Sequence, residues 1–328
     1  MFKTFRSPAC ACLLSTLAFG ALGLSAQTPF RIFMIASKAS DHIATSTAAK
    51  AALEKMGTEN GFTVDYTLDT SLISEANLDK YQVFFQEHLA PFEVSNERRA
   101  AVEKFVASGR GWIGVHAAGL THPEWFHAGN WDWYESFFGS IRYVTHPALQ
   151  TGTAIFEDRT HPATKNMPAT AQFKDEWYEW DGNPRARVRV LAKADEKTYT
   201  QVKPQGDHPI IWSNETYPKM IYLGIGHDVS VWSHPTYLLL VRDAIMWAKP
   251  ATTKLDPQAA AKGYLGSPRA ARVWASQGKI TMGWDGNAST LGGDASTAGA
   301  RTAEGLWDPL GHSLPVLKAE GFKVTTNR

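Results

Sequence analysis

Between Phe30 and Val115 four short apolar runs alternate with stretches patterned for helices, and this alternation narrows the fold more than any other feature of the chain. Phe30–Ala36 reads as a strand that ends in the polar stretch Ser37 to His42, before a helical pattern over residues 43–59. Residues 62–68 alternate as a second strand, 81–85 form a third and Gly111–Val115 a fourth. A helix is predicted over Asn96–Ala107, with Gly109 as its stop. Strands that alternate with helices imply a parallel sheet covered on both faces. The predicted class is therefore α/β with three layers and a mostly parallel sheet. Strand-like runs at 149–156, 188–194, 209–214 and 220–225 and a helix over 236–248 extend the same domain.

The fourth run passes directly into His116 and then into Ala117, Ala118 and Gly119. Open α/β sheets keep their sites at the carboxyl ends of strands. Small residues there permit a sharp turn and close approach of backbone or ligand. An imidazole at such a point is either a satisfied strand-end histidine or a functional group, and its neighbours must decide.

Composition removes several classes of function. Thirty-three basic residues face thirty-two acidic ones with no long basic block, which speaks against nucleic acid and against electrostatic membrane binding. Residues 1–27 read as a secretory signal: Lys3 and Arg6 precede an apolar run that closes on Ser25 and Ala26. The run is too short and interrupted for a span, so the mature protein is expected to be exported, periplasmic or extracellular, and free of the membrane. Both cysteines, Cys10 and Cys12, lie in this leader, so cysteine catalysis, disulfides and cysteine-bound metal are not expected. The main domain is placed at 28–250. Residues 251–328, rich in Gly, Ala, Ser and Thr, read as an extension that is partly docked or flexible.

From Leu120 to Pro147 the chain is aromatic and irregular, with His122, Trp125, His127, Trp131 and Trp133. A long insertion of this kind after a central strand suits a pocket wall. Tryptophan faces suit sugars and other amphipathic ligands, although most of the twelve Trp are expected to fill core.

Six segments, Gly111 to Ala118, Thr145-His146-Pro147, Thr160 to Thr164, Asp175 to Trp180, Asp207 to Trp212 and Leu223 to Asp228, resemble in order the ThuA family, named for trehalose utilisation. The resemblance spans residues 30–249. It implies the flavodoxin-like fold of class I glutamine amidotransferases, with His116 at the elbow where those enzymes carry cysteine, and hence not their chemistry.

Histidine and carboxylate side chains move protons near neutral pH or bind divalent metals. His116, Glu176 and His227 are the candidate catalytic residues, with Glu176 expected to have its pKa raised by aromatic neighbours. His122, Trp125, Trp131, Trp133, Trp177 and Asp228 are candidates for substrate contact, Asp228 also as an orienter of an imidazole. His116, His146 and His227 form a possible set for a divalent metal such as zinc, although no ligand pair at helical spacing supports it. His161 and His208, each before a proline, read as structural. His42 and His88 end strands or loops but are weak candidates, His234 and His312 are placed on the surface, and Asp175 and Glu179 read as turn caps. The partner implied is a small carbohydrate. The leading reading is an acid/base enzyme on a sugar or keto-sugar derivative, an isomerase, lyase or hydrolase. The alternative is a non-catalytic carbohydrate-binding protein on the same scaffold. A retaining glycosidase built on Glu176 and Glu179 ranks last.

Overall fold

The computed structural model of the chain describes residues 29–126, 129–217 and 219–250, with the strand backbones Arg272–Ser276, Lys279–Gly283 and Lys323–Thr326. The leader, His127, His312 and most of the C-terminal extension lie outside the described residues. The order begins β1 (Phe30–Ala36), α1 (Ile43–Asn60), β2 (Phe62–Thr67), α2 (Glu75–Leu78), β3 (Val83–Glu87), α3 (Asn96–Ala107), β4 (Gly111–Val115). It continues α4 (Asp132–Phe138), β5 (Tyr143–Thr145), β6 (Gln150–Phe156), β7 (Thr170–Asp175), β8 (Glu179–Trp180), β9 (Arg189–Asp195), β10 (Pro209–Ser213), β11 (Met220–Leu223) and α5 (Pro235–Ala248). The three C-terminal strands, β12, β13 and β14 in the order given above, pair as a small sheet of their own.

Nine strands form the main sheet in the order β2-β1-β3-β4-β11-β10-β9-β6-β7. The first five are parallel neighbours, and from β11 onward every pairing is antiparallel. The class is the three-layer α/β sheet expected. The antiparallel half was not foreseen, and neither were β5, β7 and β8. In β7 only Phe173 and Asp175 are buried, so this edge strand carries no apolar alternation for a sequence reading to detect.

Both sheet faces are covered, and β1 shows why. Ile32 and Met34 join one apolar cluster with Ala49 and Leu53 of α1 and Leu240, Val241 and Ala244 of α5. Phe33 and Ile35 join the other, with Val102 and Phe105 of α3 and Tyr134 and Phe137 of α4. Successive strand residues point to opposite faces, so a strand buried on both must be apolar throughout. Among the described residues no helix is long and apolar enough to cross a membrane.

Register shifts between β9 and β10 mark a bulge, which increases local twist. Asp175, at the end of the strand farthest from β2 in sheet order, meets the backbone of Gly226 and His227, just beyond β11.

The start of β4 is held against α5. A Cβ on Gly111 would lie 2.5 Å from the Ala248 carbonyl oxygen, so no larger residue fits without moving the helix end. Gly111→Ala is therefore expected to destabilise the domain by about 1–3 kcal/mol, the usual cost of overpacking. Denaturant unfolding should show a lower midpoint with an unchanged slope, whereas an unaltered midpoint would refute this packing.

Candidate active site

His116 sits at a sharp bend where β4 gives way to a 3-10 turn, His116–Gly119. Its φ is +46°, a left-handed conformation uncommon outside glycine. The bend is pinned from several sides. Tyr222 Oη donates to the His116 carbonyl (2.9 Å) and Tyr134 Oη to that of Ala118 (2.8 Å). The ring is fully buried, lies 4.0 Å from the Tyr178 ring, and its Nδ1 donates to the Gly224 carbonyl at 3.1 Å. Because a carbonyl only accepts, that contact assigns the proton to Nδ1 and turns Nε2 toward Glu176.

Opposite Nε2 stands Glu176, the residue after β7. Its Oε2 lies 3.3 Å from His116 Nε2, 3.5 Å from His227 Nδ1 and 3.7 Å from His146 Nε2. The three histidines come from different parts of the chain and converge on one oxygen. Asp175 builds the junction: its Oδ2 accepts from Gly226 N (2.8 Å), and its Oδ1 from Glu176 N (2.8 Å) and His227 N (3.2 Å). Gly226 lets the chain pass, since a Cβ there would be 2.3 Å from Val115 Cγ1.

The electrostatics differ from the sequence expectation at Glu176. Burial does act to raise its pKa, but the His116 hydrogen bond and the charges of His116, His227 and His146 outweigh it and hold the carboxyl at about 2. Aromatic neighbours were visible in the sequence, but the surrounding imidazoles were not. Burial pushes His116 down to about 3 against the pull of Glu176. Burial also lifts Asp175 to about 8, although three backbone N–H groups favour its charged form.

Sequence reasoning gave too little weight to His42 and His88. His88 follows β3 as His116 follows β4, with φ +51°, and it is fully buried. Its ring centroid is 4.6 Å from that of His42, 5.2 Å from His116 and 5.9 Å from His227. The usable signal was positional: a histidine directly after an apolar parallel strand, on the functional edge. His42, Asp175 and Glu87, which contacts His88, carried no comparable pattern.

Other candidates lie elsewhere. Trp177 is core, stacked on Tyr199 at 5.0 Å. Trp131 is buried with its Nε1 on Glu103, and Trp133 stacks on Phe137. These rings pack within the domain and none of them packs on the His116 ring. Trp125 and His122 pack against each other at a tilt, and Trp125 packs on Tyr143, which touches Tyr178 beside His116, so this aromatic series leads toward the site. Asp228 caps the turn Val229–Ser233 and pairs with Lys174, while Asp175 holds the imidazole-bearing loop. Glu179 is buried and accepts from Val202 N and Lys203 N, so it is no partner carboxylate for a glycosidase. His161 packs against Trp247, and His208 bonds Tyr199 Oη and the Tyr178 carbonyl, both structural. His234 is half-buried against Phe173 instead of lying on the surface.

Fold and site together define a three-layer α/β protein with an imidazole–carboxylate cluster at the elbow after its central strand. The sequence profile of the ThuA family, described as trehalose utilisation, matches residues 31–248, and the chain belongs to that family. A ThuA-like protein from Bacteroides uniformis is similar at 29% identity and a TM-score of 0.64, over 73% of this chain and 99% of that one. Another, from Parabacteroides merdae, shares the fold at 15% identity and a TM-score of 0.53, over 70% and 94% of the two chains. Comparison with curated proteins gives no match.

A histidine whose folded pKa is depressed stabilises the fold above its ordinary value of 6.5, and that contribution is lost as the pH falls toward 3, where only the unfolded chain has taken up the proton. Asp175 works in the opposite sense: its contribution is present below 3.8 and is lost as the pH rises through about 8. Histidine-selective NMR should accordingly find His116 neutral at pH 5. A His116 resonance titrating near 6.5 would contradict the burial argument.

Proposed function

We propose that this protein is an exported enzyme of carbohydrate utilisation that moves protons on a sugar or keto-sugar derivative, with Glu176 as the proton acceptor. The observation that carries this reading is the convergence of His116, His146 and His227 on one carboxylate oxygen within 3.3–3.7 Å. At neutral pH the carboxyl is charged, so it accepts a proton and does not begin as the acid. A proton placed on it lies within reach of His116 Nε2. That nitrogen has no hydrogen of its own while Nδ1 donates to Gly224, so it can take up the proton that the carboxyl accepts.

Burial opposes storing that proton as an imidazolium, which favours passing it on to the half-exposed His146 or back to substrate. A carbon acid beside a ketone, or a water attacking an anomeric carbon, would supply such a proton. The family's link to trehalose utilisation supports a glucoside-like substrate, and the half-buried indole of Trp125, packed against His122, offers an aromatic face for one.

Incubating the protein with keto-disaccharides and following products by NMR tests the assignment. Glu176→Gln should lower turnover about 10²–10⁴-fold, the usual contribution of a positioned acid/base group, with binding retained. Full activity in a His116→Ala, Glu176→Ala double variant would sink it. Saturable sugar binding without turnover in the unaltered protein would indicate a binding protein instead.

A further inference from the structure

We propose that His42, His88 and His227 form a binding site for one divalent transition-metal ion of the zinc class. One ring nitrogen from each lies within 4.8 Å of one from each of the others. His42 Nδ1 and His88 Nε2 are buried and have no hydrogen-bond partner in the protein. Buried polar atoms are nearly always partnered, and leaving one bare is costly, so unpartnered nitrogens in such a cluster call for a ligand.

The surroundings of His88 indicate which ligand. Its Nδ1 contacts Glu87 Oε1 at 2.7 Å, and both side chains are fully buried. A carboxylate behind an imidazole fixes its tautomer and orientation and raises its basicity, the arrangement typical of metal-binding histidines. It leaves Nε2 without hydrogen and free to coordinate. The left-handed backbone of His88 turns this ring off the end of β3 into the cluster, and such strain persists where it serves a site. Neutral imidazole is the ligating form.

Among the described residues the set expected from the sequence, His116, His146 and His227, is not drawn within that distance, and the neighbouring set of His116, Glu176 and His227, which is, has fewer unpartnered nitrogens. His116 Nδ1 donates to the Gly224 carbonyl, its Nε2 faces Glu176 Oε2 at 3.3 Å, and His146 Nδ1 contacts the Pro147 carbonyl. Zinc–nitrogen bonds of about 2.0–2.1 Å in a tetrahedron set ligand atoms roughly 3.3 Å apart, so the rings must draw together on binding. His227, half-buried in the loop after β11, is the ligand with room to move. Three histidines leave a fourth position open, as in catalytic zinc sites. Because His227 also touches Glu176, the ion would sit beside the proposed proton acceptor. In that sense the inference builds on the proposed function, but its test reads metal and not turnover.

The full chain, freed of metal with a chelator, is titrated with zinc chloride by calorimetry, and its cobalt(II) form is recorded in the visible. One ion per chain and cobalt bands of four- or five-coordinate geometry are expected. His42→Ala and His88→Ala should abolish stoichiometric binding, Glu87→Gln should weaken it about 10–100-fold, and His146→Ala should leave it unchanged. Circular dichroism checks folding. If His88→Ala does not fold, His42→Ala at the head of α1 and the wild-type cobalt spectrum carry the test. No stoichiometric zinc in the unaltered protein, or zinc bound equally by His42→Ala, would overturn the site. Zinc binding with no sugar turnover would leave this proposal intact and remove only the enzymatic one.

Discussion

Asp175 joins the far edge of the sheet to its centre. Its carboxylate is fully buried and accepts three backbone N–H groups, two of them from the loop that follows β11. A buried carboxyl group in such a place is costly unless those donors are present, and the donors would be unsatisfied without it. The contact therefore fixes β7 against the parallel half of the sheet. Everything at the site depends on that closure, because Glu176 is the next residue and would otherwise face solvent at the far edge.

Closure also sets the charges. Four histidines, His42, His88, His116 and His227, cluster with ring centroids 4.6–5.9 Å apart in the pairs that touch. Burial drives His42, His88 and His116 toward the neutral form, the neighbouring imidazoles add to it, and the negative charge is held on Glu176. Imidazoles around a carboxylate make a proton-accepting site on one side and a metal-ligating one on the other. The same desolvation produces both.

The parallel half of this fold was readable because its signals are local: apolar runs, helix stops and the elbow at Gly111–Val115 all lie within short windows. His116, Glu176, His146 and His227 could be nominated from strand ends and the family resemblance. What failed depended on long-range closure. The pKa of Glu176 was assigned in the wrong direction because its aromatic neighbours are adjacent in sequence and its imidazoles are not. Asp175 looked like a turn cap because its partners lie some fifty residues away. His42 sits in a polar loop with no periodicity, and Trp131 and Trp177 looked like pocket walls because burial of an indole cannot be told from exposure without its neighbours.

The protonation state of Glu176 reports directly on the convergence of the three histidines. Labelling glutamate side chains with carbon-13 and assigning the Glu176 carboxyl by comparison with Glu176→Gln allows its titration to be followed directly by NMR. The structure requires a carboxylate that stays ionised at pH 4 and takes up a proton only near 2, because three imidazoles surround it. A carboxyl that protonates at or above its ordinary 4.5 would mean that burial prevails and that the histidines do not converge on it.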